Sequence, residues 1–216
     1  MTNRNRMIVA GACLLFAAAH RLPAQGNAAE IYGGYTYTNA STEPPLPRSG
    51  MSGWNVGAAG YANSWFGAGF EFSGVFGSLS APASSGVSGT ALFTKEYSYM
   101  VGPQFRFVNK SKIQSSFKWL VGGVFGQANL PASLSPSNAL LLSQVGYSGS
   151  HETKFAMMFA VPVDVTITRA VGFRFEPGLY MTGFAPLASG GSLSANQQQW
   201  NFRLSVGPVF RLGHGK

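Results

Sequence analysis

Eight stretches of this chain alternate apolar and polar residues with a period of two, over residues 30–39, 53–62, 66–76, 97–108, 117–125, 154–165, 171–184 and 200–212. Successive side chains of an extended strand point to opposite faces, so each stretch is expected to be a β-strand with two chemically different faces. In 66–76, Phe66, Ala68, Phe70 and Phe72 oppose Gly67, Gly69, Glu71 and Ser73. In 171–184, Val171, Phe173, Phe175, Leu179 and Met181 oppose Gly172, Arg174, Glu176, Gly178, Tyr180 and Thr182. Beyond the N-terminal region there is no heptad pattern and no long helical periodicity to compete with this reading.

The connections alternate too. Those at 62–66, 108–117 and 165–171 are short, whereas those at 39–53, 76–97, 125–154 and 184–200 are long and rich in Ser, Gly, Ala and Pro. An even number of strands with short turns on one side and long loops on the other predicts an all-β, eight-stranded antiparallel up-and-down barrel.

Alternation alone leaves two barrels open: a soluble one with a lipocalin-like apolar ligand cavity, and a transmembrane one with apolar side chains facing lipid. Only 10% of residues are charged, against about 25% in ordinary soluble domains. The polar face is mostly Gly, Ser, Thr and Ala, a poor surface for water. Aromatic residues gather toward the strand ends as Tyr35, Tyr37, Trp54, Trp65, Phe107 and Trp200, where interfacial girdles are expected. These features favour the membrane version.

Residues 1–25 read as a cleaved secretory signal: Arg4 and Arg6 precede an apolar run over 7–19, and a polar segment leads to small residues around Ala24 and Gly26. The run is shorter than the roughly 20 residues a spanning helix needs, and no stop-transfer pattern follows. Residues 26–216 are then one barrel domain. The single cysteine, Cys13, lies inside the apolar run and leaves with it, so no disulfide or thiolate site is expected. Losing Arg4, Arg6 and Arg21 reduces the formal charge from +8 to 12 basic against 7 acidic side chains. They are scattered singly rather than gathered into the basic stripe that nucleic acid requires.

Two features concern the strand map. Val101, Gly102, Pro103, Gln104, Phe105, Arg106, Phe107 recurs as Val206, Gly207, Pro208, Val209, Phe210, Arg211, Leu212, and a weaker echo relates 69–72 to 172–175. A duplicated four-stranded half and the ordinary similarity of barrel strands both account for this. Pro103, Pro162, Pro177 and Pro208 fall within expected strands, where each removes a ladder donor, so they are expected at bulges or membrane-proximal strand ends.

The polar face carries Glu30, Glu71, Arg106, Lys118, Lys154, Arg174, Glu176, Arg203 and Arg211. An eight-stranded barrel is just wide enough inside for side chains to fill it, and buried charges must pair. A packed lumen network is expected, with Glu71 and Glu176 as carboxylates, Arg106, Arg174 and Arg203 as their guanidinium partners, and Lys118 beside them. A narrow porin-like path lined by the same groups is the alternative. His151 and His214 are the only histidines after the signal and have no triad or metal-ligand spacing, so neither an enzyme nor a cofactor is expected. Pro44, Pro45 and Pro47 stiffen the first long loop, and 139–142 put an apolar run in the third.

This pattern resembles the small eight-stranded bacterial outer-membrane barrels of the outer-membrane protein A and X type. Ser205, Gly207, Phe210 and Leu212 match the spacing of the C-terminal signal such proteins present to the barrel-assembly machinery, although residues 213–216 extend past it. The N-terminal signal implies Sec export, and the resemblance implies residence in a Gram-negative outer membrane. It further implies contact with lipid and lipopolysaccharide, a monomeric state, and a structural or loop-mediated surface role. No periplasmic module is expected after the last strand.

Overall fold

The computed structural model describes residues 29–40, 49–80, 91–109, 112–129, 151–183 and 199–213. The signal segment, most of each long loop (Pro44, Pro45, Pro47 and 139–142 included) and His214 lie outside the described residues. The strands are β1 (Ala29–Ala40), β2 (Ser49–Tyr61), β3 (Phe66–Ser80), β4 (Ala91–Asn109), β5 (Ile113–Asn129), β6 (His151–Ala160), β7 (Val163–Thr166), β8 (Val171–Thr182) and β9 (Gln199–Leu212).

Every pairing is antiparallel, and β1 pairs with both β2 and β9, which closes the sheet. Strands β6 and β7 are two parts of one stave, since both lie between β5 and β8. The molecule is thus a closed eight-stranded antiparallel barrel, and closure leaves no edge strand with unpaired backbone groups.

Short turns hold three of the hairpins. At the first, the Asn63 side-chain oxygen accepts from the backbone N–H groups of Trp65 and Phe66 at 3.0 and 2.7 Å. At the last, Thr168 Oγ1 accepts from Val171 N–H at 3.1 Å. These are the local side-chain bonds by which Asn and Thr favour turns.

The alternation runs the way lipid requires. In β1, Glu30, Tyr32, Thr36 and Thr38 are buried inside, while Ile31, Tyr35 and Tyr37 are exposed outside. In β8 and β9, Arg174, Glu176, Arg203 and Arg211 are buried, while Phe173, Phe175, Leu179, Phe202 and Phe210 are exposed. Met181 departs from this pattern, being buried between Met157 and Trp200. Filling the interior with charge and the exterior with Phe, Val and Leu is incompatible with a soluble ligand-binding barrel, which needs the reverse.

The prolines differ from expectation. Among the described residues a register shift occurs within β4–β5 pairing, between Arg106 and Val108, and not at any proline. Pro162 sits in the break between β6 and β7. Pro103, Pro177 and Pro208 lie within strands and keep their pairing on one side, with Ala68, Leu204 and Phe173. On the other side the ladder lapses and resumes unshifted: Val101↔Val121 is followed by Gln104↔Lys118, and Tyr32↔Val209 by Tyr35↔Val206. Proline removes a donor without inserting a residue, so the period-two phase survives it.

The Val-Gly-Pro echo now has a structural meaning. Both copies sit where a ladder lapses, at the β4–β5 and β9–β1 seams, four staves apart. A Cβ on Gly102 would lie 2.0 Å from the Trp119 carbonyl oxygen, and one on Gly207 would lie 2.1 Å from that of Gly33. Backbone cannot yield to such an approach, so Gly102→Ala and Gly207→Ala should each lower folding stability by about 1–3 kcal/mol, measured by urea unfolding in detergent. An unchanged midpoint for both would refute the close-approach reading.

Candidate functional site: the lumen ion network

The inward faces of all eight staves contribute polar side chains that meet across the lumen. Its centre is Lys118 on β5, with a side chain 0% exposed. Its ammonium has three hydrogens to donate and three partners: Glu71 Oε2 on β3 at 2.5 Å, Glu176 Oε1 on β8 at 2.5 Å and the Tyr32 hydroxyl on β1 at 3.2 Å. The Tyr32 hydroxyl in turn donates to Glu71 Oε2 at 3.2 Å. The second Glu71 oxygen meets Arg203 Nη2 on β9 at 2.6 Å, and Arg203 also donates to Thr36 Oγ1 at 3.0 Å.

A second cluster lies toward the short-turn end. Glu30 accepts from Arg106 Nη2 at 2.7 Å and from Arg174 Nη2 at 2.8 Å. Arg174 grips Asp164 on β7 with two donors, Nε at 2.7 Å and Nη2 at 2.9 Å, and Arg211 approaches the same carboxylate at 3.7 Å. Tyr61 on β2 donates to Glu30 at 3.3 Å and accepts from Gln104 at 2.7 Å, with the Arg106 guanidinium 3.6 Å above its ring. The Tyr32 ring joins the two clusters, lying 4.3 Å from the Arg174 guanidinium carbon and 4.8 Å from Lys118 Nζ.

Glu71, Arg106, Lys118, Arg174, Glu176 and Arg203 therefore share the lumen, and Arg203 pairs with Glu71 as expected, but the other partnerships differ from the sequence expectation. Arg106 and Arg174 pair with Glu30 and Asp164 rather than with Glu71 and Glu176, and Lys118 takes the central position expected of a guanidinium. Strand stagger decides which inward residues share a level, and period-two patterning carries no information on stagger. Lys154 lies on the inward parity of β6, half-buried.

Asp164, Tyr32, Tyr61 and Gln104 were not singled out by sequence. Asp164 keeps the parity of Met158 and Ala160 across Pro162, so carrying the phase through the proline would have found it. Tyr32 and Tyr61 share the parity of the inward residues Glu30 and Ala59 and are buried, so the alternation that marked the charged lumen residues also marks them.

On the outer face, Trp65, Phe66 and Phe105 form a cluster at the first short turn with ring centroids 5.5–6.2 Å apart. Phe107 is exposed near the same end of β4. Tyr37 and Trp200 are exposed nearer the long loops, and Tyr35 and Trp54 face one another across β1 and β2. Trp54 lies inside its strand rather than at its end because β2 begins at Ser49, earlier than alternation indicated. Trp119, exposed and stacked 6.0 Å from Phe159, adds an outward aromatic that sequence reading left out. In the last strand, Ser205 is buried inside while Phe210 and Leu212 are exposed. The side chain of His151 lies outside the described residues.

A closed eight-stranded antiparallel barrel with ion-paired interior and apolar exterior is the architecture of the small outer-membrane β-barrels. Among solved structures, the chain is similar to Ail, the attachment invasion locus protein of Yersinia pestis, with 14% identity over 87% of this chain and 100% of that one and a TM-score of 0.53. It is also similar to Neisserial surface protein A, with 11% identity over 86% and 97% of the two chains and a TM-score of 0.58. A further match is Ail in complex with the heparin analogue sucrose octasulfate, with 14% identity, 85% and 97% coverage and a TM-score of 0.52. No protein-family model matches the chain, and neither does any curated protein.

Proposed function

We propose that this protein is a non-enzymatic, monomeric barrel of a Gram-negative outer membrane, non-conducting, with an envelope-structural or surface-interaction role. The observation that carries this reading is Lys118, fully buried at the centre of the lumen and held by Glu71, Glu176 and Tyr32. Opening an aqueous path there means separating ion pairs that have already lost their hydration, which is strongly unfavourable. With the lumen so occupied, the surfaces left to meet other molecules are the outer belt, which suits lipid and lipopolysaccharide, and the loops. The surface-interaction half of the reading draws support from the likeness to an attachment protein solved with a sulfated sugar analogue.

Cells carrying the protein in an outer membrane poor in porins should take up small hydrophilic solutes no faster than cells without it. Fractionation should find it in that membrane, migrating differently on gels before and after boiling. Faster uptake would contradict the closed lumen, and a soluble, heat-insensitive protein would contradict the membrane assignment.

A further inference from the structure

The short-turn cluster is not balanced. It brings three guanidiniums, from Arg106, Arg174 and Arg211, against two carboxylates, from Glu30 and Asp164, which leaves one positive charge. The central cluster is neutral, with Lys118 and Arg203 against Glu71 and Glu176. Among the described residues, Glu96 is the further acidic residue with a buried carboxylate oxygen, and it lies toward the opposite end of β4, about 30 Å along the strand from Arg106 at a rise of about 3.3 Å per residue. It is too distant to compensate.

The excess charge has an outlet. Arg174 spends Nε and Nη2 on Asp164 and Glu30, but its Nη1 is buried and has no hydrogen-bond partner. Arg174 lines a cavity of about 10 Å³ together with Tyr32, Asn55, Ser205, Gly207 and Pro208. No carboxylate lines it. Arginine is the only charged group, and the Asn55 amide supplies a further donor, whereas the Ser205 hydroxyl is engaged with Thr36 at 2.8 Å. Its volume suits one water- or halide-sized particle.

We propose that this cavity, at the β9–β1 seam, binds a single halide-sized monovalent anion, which meets the free Arg174 N–H and neutralises the short-turn cluster. The inference rests on the lumen being a packed plug. A buried donor without a partner and a buried charge without a counter-charge both cost several times what a paired group does. A water would satisfy the first deficit and leave the second.

The test is an anomalous-diffraction experiment on crystals of the mature protein equilibrated with bromide, paired with unfolding midpoints in sodium bromide and sodium acetate at equal ionic strength. A bromide peak within hydrogen-bond reach of Arg174 Nη1 is expected, together with a midpoint that rises with bromide and not with acetate, as linkage requires of a ligand that binds only the folded state. Arg211→Met removes the excess charge without touching the cavity lining, and should weaken bromide affinity at least tenfold. Asn55→Leu, which fills the cavity, should abolish binding and serves if the arginine variant does not fold. Water alone in the cavity at saturating bromide, or bromide affinity unchanged in the folded variants, would overturn the proposal. Neither outcome bears on conduction, so the closed-lumen reading stands or falls separately.

Discussion

Replacing Lys118 with methionine should lower folding stability by about 3–5 kcal/mol, the range for removing one partner from a buried ion pair. The substitution nearly preserves volume, so the loss comes from charge rather than from a cavity. Glu71 keeps Arg203 at 2.6 Å, whereas Glu176 loses the ammonium it meets at 2.5 Å. Adding Glu176→Gln to Lys118→Met should therefore restore more than half of the loss, even though it removes a second charge from the lumen. Equilibrium unfolding of the three proteins in the same detergent checks this. A double variant less stable than Lys118→Met would mean that the network is not organised around Lys118.

The second large effect belongs to the outer face. Phe70 is 46% exposed, well inside β3 and away from the aromatic cluster at Trp65 and Phe66. An arginine at the middle of a lipid-facing band costs about 2–4 kcal/mol, falling to about 0–1 kcal/mol near an interface. Phe70→Arg should thus destabilise the bilayer-inserted protein by about 2–4 kcal/mol, and Trp65→Arg by about 1 kcal/mol or less. Unfolding titrations in lipid vesicles measure both. Equal small losses at the two positions would place Phe70 in water and refute the lipid belt.

The fold is legible in the sequence because it follows from the period of the pattern, and the lipid-facing side because charge is scarce and aromatic residues gather toward the strand ends. Phe70 beside Glu71, or Phe175 beside Glu176, states strand and face at once, and closure follows from an even number of such strands joined by alternating short and long connections. The lumen residues were legible as a set for the same reason. Their pairing was not: Arg174 bonds Glu30 from the far end of the sequence, a contact set by stagger around the barrel rather than by local pattern. The prolines misled in the opposite direction. Pro103 and Pro208 were expected to disturb strands, yet each accompanies a glycine at a lapse that leaves the register intact. Asp164 was overlooked beyond Pro162, where the phase in fact continues.

The central claim is that the lumen of a lipid-embedded barrel is shut by the Lys118 network, and current recording in planar bilayers addresses it most directly. Reconstituted mature protein should give no steady conductance above the bare membrane in symmetric salt. A long-lived, ohmic open level in the unmodified protein would contradict the account.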